Sequence, residues 1–285
     1  MPILMTIFFV LARIISNSYA GVFQKKLAEK YNASYINVLN YFLLTLFCFS
    51  GFKFFDFSNK SLFLYVILTG ITGAIGNALQ IKALKIGELS ILAPINSYKI
   101  IFSLIFSFFL LKEIPNSFSF FGIFLIIFGS YFIFETTQEG FSFKLLRRKD
   151  IQYRIFAVFF TGLEAIFIKE MILCSNSTTA LFFWALSSAI FSLFLMKMKR
   201  YKFEKLNLDA FKLLLYLTLC MGIMQLSTNY LFKAMNVSYA LSLFQLSSLL
   251  SVVLGYKIFN EKELKKKILG AFIMVIGATI IILFK

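Results

Sequence analysis

Apolar runs of about twenty residues, separated by short polar clusters, follow one another along nearly the whole chain. Ten can be drawn, at roughly 3–23, 35–55, 62–81, 89–111, 118–134, 153–168, 179–196, 210–232, 239–259 and 268–284. A helix of about 20 apolar residues matches the hydrocarbon core of a bilayer, so each run predicts a membrane-crossing helix. The expected fold class is an all-α integral membrane protein with ten transmembrane helices. In the fourth run a single charge, Lys99, stands near the middle, and Asn96, Lys99, Ser103 and Ser107 recur at three, four and four residues. On a helix that is one polar stripe, with Pro94 placed to open the backbone just before it.

Composition agrees with this picture. Of 285 residues, 60% are hydrophobic and only 15% charged, well below the roughly 25% of soluble chains. The net charge of +16 would suggest nucleic acid in a soluble protein. Here most of the 29 Lys and Arg lie in the loops after the first, third, fifth, seventh and ninth runs. The positive-inside rule then places 144–154, 197–212 and 257–267 in the cytoplasm, both termini outside, and nucleic acid among the excluded partners. The first run lacks a basic leader and is interrupted by Arg13, so it reads as a helix and not a signal peptide. There is no histidine, and Cys48, Cys174 and Cys220 are scattered, so neither a metal site nor any other cofactor is expected.

The chain is also duplicated. Glu113, Gly122 and Gly129 reappear as Glu261, Gly270 and Gly277 at a constant offset of 148 residues. Phe23-Gln24-Lys25 likewise precedes Phe167-Ile168-Lys169, and Lys82-Ala83-Leu84 precedes Lys233-Ala234-Met235. Each copy holds five helices, an odd number, so the second must enter the membrane from the opposite side. The expected organisation is a first repeat over 1–134, a connecting loop over 135–152 and a second repeat over 153–285.

Two five-helix copies, each with Lys-Ala-Leu or Lys-Ala-Met before its fourth helix, a Glu after it and then a glycine-bearing helix, resemble the drug/metabolite transporter superfamily, EamA-like branch. The resemblance covers nearly the whole chain. It implies a multi-pass transporter of the cell's inner (plasma) membrane, commonly with cytoplasmic termini, which is the reverse of what the charge distribution implies.

Several helices carry polar stripes suited to a common cavity. The third has Thr69, Thr72, Gly73, Gly76, Asn77 and Gln80 on one face, and its repeat partner has Thr218, Gly222, Gln225 and Asn229. The first has Arg13, Asn17, Ala20, Gly21 and Gln24, and the ninth has Ser242, Gln245, Ser248 and Ser251. The second presents Asn37, Asn40, Tyr41 and Thr45 in a lining or gating role. For Asn77, Gln225, Asn229 and Gln245, cavity lining and interhelical glue are both open readings. In the fifth and tenth runs, Gly122 with Gly129 and Gly270 with Gly277 suit close packing, as outer supports or a dimer contact.

Charges at membrane depth mark function by default. Lys99 and Glu164 are the two deepest, and neither has a charged counterpart in the other repeat. They either form a buried ion pair or divide a task, with Lys99 and Arg13 receiving an anionic group and Glu164 a substrate amine or a coupling proton. Trp184, the only tryptophan, stacks on substrate or serves as an interfacial or packing aromatic. The candidate substrate site is therefore Arg13, Asn17, Asn77, Gln80, Asn96, Lys99, Glu164, Trp184, Gln225, Asn229 and Gln245.

The function expected is secondary active transport of a small polar metabolite, an amino-acid-like or other anionic or zwitterionic solute, by alternating access, proton-coupled or by exchange. The alternatives are a flippase for lipid or lipid-linked headgroups and an exporter of cationic drugs. Catalysis is not expected, since no histidine, paired carboxylates or metal set is present to perform it. No GxxxxGK[ST] loop is present to bind ATP. The expected partners are the solute and the bilayer, with the chain a monomer or a homodimer.

Overall fold

The computed structural model describes residues 3–49, 51–56, 59–102, 105, 117–201, 204–235 and 237–283. They form helices α1 (Ile3–Lys30), α2 (Ala33–Phe49), α3 (Leu62–Ile86), the short α4 (Leu89–Leu92), α5 (Ser117–Phe134), α6 (Lys149–Leu173), α7 (Ser177–Met198), α8 (Leu208–Ala234), α9 (Val237–Phe259) and α10 (Leu264–Leu283). Among the described residues there is no strand. Five helical stretches are long and apolar enough to cross a membrane: Leu4–Lys30, Leu62–Ile86, Ser177–Met198, Leu208–Ala234 and Ala240–Phe259. Ala33–Phe49, Leu89–Phe102 and Phe120–Phe134 are shorter apolar helices.

The outside of the bundle is apolar. Phe8, Leu46, Phe120, Phe124, Phe194, Leu219 and Phe272 are exposed, while Gln24, Asn37, Asn229 and Thr218 are fully buried. A soluble domain would not leave so much apolar surface in contact with water. The chain is a multi-pass membrane protein turned outward to lipid, and its polar side chains face one another.

The two halves are interlaced. α5 packs on α10, α3 on α6, α1 on α8 and α2 on α7, so each of these pairs takes one helix from either side of the linker. Exchanging each helix with the one five places along returns the same set of pairs, as a two-fold relation between the halves requires. Neither half buries its own core, so the linker does not divide independent folding units.

Helix starts follow from local chemistry. Asn176 accepts from the N–H groups of Thr178 and Thr179 at 3.1 and 2.9 Å at the head of α7, and Asn207 accepts from Ala210 at 2.8 Å at the head of α8. The fourth run is not one continuous helix. After α4 the backbone tightens into a 3-10 turn over Pro94–Ser97, and Asn96 N–H bonds Ala93 at 3.1 Å. Proline cannot donate, and the tighter turn releases the Leu92 carbonyl from its helical partner. Helix resumes at Tyr98 and Lys99. Ser103, Ser107 and Glu113 lie outside the described residues.

The repeated glycines are used within the chain. A Cβ on Gly129 would stand 2.6 Å from the Gly270 carbonyl oxygen, and one on Gly277 would stand 2.6 Å from that of Gly122. α5 and α10 therefore touch backbone to backbone, and these glycine faces are not free for a second copy. Gly129→Leu is expected to force the helices apart, with an overpacking penalty of at least ~1–3 kcal/mol seen as a lower melting temperature in detergent. An unchanged melting temperature would contradict the close contact.

Candidate functional site

The stripes meet in a cavity of about 90 Å³, lined from both halves of the chain. At roughly 10–15 Å³ per water, it has room for several waters or a small solute. Its charged or polar lining comprises Arg13, Asn17, Tyr41, Asn77, Gln80, Asn96, Lys99, Thr161, Glu164, Trp184, Gln225 and Thr228. Its apolar wall includes Met221, Met224, Phe232, Leu241 and Phe244, drawn from α8 and α9.

Glu164 is held in place. Its carboxylate accepts the Trp184 indole N–H at 2.7 Å, and Trp184 is set edge-on against Tyr41 with ring centroids 5.1 Å apart. Gly73 makes this possible, since a Cβ there would collide with the Glu164 carboxylate and reach Ser188 Oγ at 3.0 Å. Trp184 is thus a buried partner of the carboxylate, and not an aromatic at the membrane interface.

Lys99 follows the 3-10 turn, and a Cβ added to Gly162 on α6 would meet its Cγ at ordinary contact distance. The ammonium lies within electrostatic range of Glu164, Arg13 and Arg154. Among the described residues it makes no hydrogen bond or ion pair, so a contact Lys99–Glu164 pair is not formed. Arg13 turns inward as well. Its Nε donates to Thr228 Oγ1 at 2.8 Å, the guanidinium lies 4.6 Å over the Phe244 ring, and Nη1 is buried without a partner.

A chain of buried hydrogen bonds joins the halves beside the cavity. Arg154 Nη1 donates to Gln80 Oε1 at 2.7 Å, Gln80 to Gln24 at 2.8 Å, Gln24 to Asn77 at 3.0 Å, Asn77 to Asn37 at 2.5 Å, and Asn37 to Ser192 at 2.8 Å. Arg154 Nε takes up the Leu92 carbonyl that the Pro94 break releases, at 2.8 Å. Five helices and the broken fourth segment are tied by this one relay, in which each amide both donates and accepts.

The structure separates the sequence candidates. Arg13, Asn17, Asn77, Gln80, Asn96, Lys99, Glu164, Trp184 and Gln225 line the cavity. Asn229 and Gln245 do not. Asn229 accepts from Gln225 at 2.8 Å and donates to the Ser177 carbonyl at 3.0 Å, and Gln245 Nε2 donates to its own helix at Leu241, also at 3.0 Å. Asn17 reaches Ser247 at 2.8 Å.

Arg154 is the main residue that sequence reasoning misplaced. Counted there with a cytoplasmic loop, it is only 5% exposed and reaches inward. The available signal was its position seven residues before Thr161 and ten before Glu164, on the same helical face. Lys267, assigned to another cytoplasmic loop, is likewise buried, donating to Glu88 and, at 2.9 Å, to Ser90 Oγ.

One end of the site is closed by a charged latch. Glu261, in the turn between α9 and α10, accepts the Leu89 and Ser90 N–H groups at 2.7 and 2.8 Å and the Lys25 ammonium at 2.8 Å. Lys25 also donates to the Gly87 carbonyl at 2.9 Å. The carboxylate thus caps α4 from the opposite half, where the adjacent Glu88 makes no cap bond. Leu89 borders a small void of about 20 Å³ next to the main cavity, and Lys25 and Glu261 border a cleft of about 850 Å³ beyond. Burial opposes ionisation of Glu261, but Lys25 and the hydrogen bonds from Lys25 and Ser90 outweigh it, so the carboxyl lies below the usual carboxylate range.

A depressed carboxyl pKa gives stability that is present above the unfolded value of about 4.3 and lost as pH falls through the folded one. Glu261→Gln is expected to lower stability at pH 7 by about 3 kcal/mol, since it leaves Lys25 without its counter-charge, and to flatten part of the acid loss. Melting curves across pH 3–8 check this. Coincident wild-type and variant curves would show that the latch carries no weight.

Comparison with known proteins gives a consistent result. The EamA-like transporter family matches twice, over residues 4–135 and 150–283. A solved crystal structure superposes on 98% of this chain and 97% of its own with a TM-score of 0.69 at 12% identity, a likeness of fold alone. No curated protein matches the sequence significantly.

Proposed function

The chain belongs to the EamA-like transporter family, and from that premise we propose a secondary active transporter that carries a small anionic or zwitterionic solute by alternating access. In this reading ten spans form two inverted repeats in the cytoplasmic membrane, and the solute binds between them in the cavity around Lys99 and Glu164. The observation that carries it is the Lys99 ammonium, which has no hydrogen-bond or ion-pair partner among the described residues, inside a cavity walled by both halves. A lysine at such depth costs about 2.5–3.5 kcal/mol on insertion scales, and membrane proteins retain such groups at substrate and ion paths. The discontinuous fourth segment next to the site also supports transport, since broken helices form the midplane sites of inverted-repeat carriers.

The basic loops face the cytoplasm in this orientation, and so does the Lys25–Glu261 latch. The chain as described is then closed on the cytoplasmic side, and opening that side requires Glu261 to leave the head of α4. Glu164 is the candidate coupling group, because among the described residues it is the one carboxylate lining the cavity.

The substrate class can be found by thermal shift of the purified protein against pooled amino acids, organic acids, nucleosides, amines and lipid headgroups. A ligand at a hundred times its Kd stabilises by about 2.7 kcal/mol. In proteoliposomes, Lys99→Ala is expected to reduce transport of the identified solute at least tenfold while the protein stays folded. Normal transport by that variant would overturn the central-site assignment. Glu164→Gln is expected to remove the pH dependence of transport, and an unchanged profile would retire its coupling role.

A further inference from the structure

The small void beside the main cavity is lined by Arg154, Asn96, Asn17, Gln80, Ser247 and Ser251, and it shares Asn17, Gln80 and Asn96 with the larger one. The two spaces therefore form one polar site with two lobes. Its described charged side chains are Arg13, Lys99, Arg154 and Glu164. Three cations thus face one carboxylate, a formal excess of two positive charges. None of the cations has an acidic partner within ion-pair distance among the described residues. Arg13 bonds a hydroxyl, Arg154 bonds an amide and a peptide carbonyl, and Lys99 bonds nothing. Arg154 Nη2 has no described hydrogen-bond partner, and Arg13 Nη1 is buried without one.

Buried charges of one sign are retained only where something compensates them. We propose that the compensation is the substrate, and that Arg154 forms a second anion subsite for a dianionic organic solute. One acidic group rests on Lys99 and Arg13 in the main lobe. The other rests on Arg154 in the small lobe, where Nη2, with Nε and Nη1 already donated to Leu92 and Gln80, is left to donate to a carboxylate or phosphate oxygen. Two negative charges leave the filled site formally neutral, whereas a monoanion leaves one cation bare and a simple zwitterion compensates nothing. This rests on the transporter reading above and narrows its substrate class.

The test is calorimetric binding to the purified full chain, with succinate and glycerol 3-phosphate as dianions, butyrate as a monoanion and alanine as a zwitterion. At least one dianion is expected to bind ten times or more tighter than butyrate or alanine, and which one does so separates a dicarboxylate from a phosphate monoester. Arg154→Gln is expected to weaken that dianion at least tenfold and butyrate less than twofold, while Lys99→Ala weakens both. Ser251→Asp, which sets a carboxylate in the small lobe and leaves the relay intact, is expected to reproduce the selective loss, and it decides the matter if Arg154→Gln fails to fold. Equal weakening of dianion and monoanion by either small-lobe variant would make Arg154 a structural residue and overturn the proposal. Lys99-dependent binding of butyrate or alanine with no preference for dianions would overturn it and leave the transporter reading standing. Binding of none of the four would overturn the dianion site, and a Lys99→Ala protein that transports normally would remove the transporter reading with it.

Discussion

Charge has been brought into a bundle whose outer surface is turned to lipid, and the rest of the architecture follows from managing that burden. The outward surface is spent on lipid contact, so polar side chains find their partners on their own backbone or on other helices. Amides can satisfy one another in series, and in the relay from Arg154 to Ser192 each amide both donates and accepts. Cations cannot satisfy one another. The cavity is where the bundle leaves Arg13 and Lys99 together, in one lining with the Trp184–Glu164 pair.

This division of labour explains which polar residues sit where. Asn229 and Gln245 resemble Gln225 and Asn77 in type and spacing, yet they are turned to a helix terminus and to their own backbone. The difference is set by what lies within reach at that level: the Ser177 carbonyl for Asn229 and the Leu241 carbonyl of its own helix for Gln245. Interlacing sharpens the effect: because each helix packs on one from the other half, a substitution in one repeat is felt by the wall of the other.

The helical class, the duplication and the candidate charges Lys99 and Glu164 could all be read in the sequence, because an apolar run or a lone intramembrane charge is a strong local signal. Residues whose role depends on a distant neighbour could not. Arg154 lies at the edge of an apolar run and looks like a loop cation until the Leu92 carbonyl, released by Pro94, is brought against it. Glu261 reads as a repeat marker, and only the fold shows it capping α4 in the opposite half. The glycines of α5 and α10 announced close packing, but not that they would meet each other. Trp184 carried no sequence signal that set it on a carboxylate.

The contact between α5 and α10 has a mechanical consequence. Where the two backbones touch at the glycines, the side chains of Met274, Ile281, Ile133 and Leu125 fill the space around the contact. Sliding along the contact meets peptide against peptide at once, while small rotation about it displaces little. In the transport reading proposed above, the pair is the fulcrum about which the remaining helices swing.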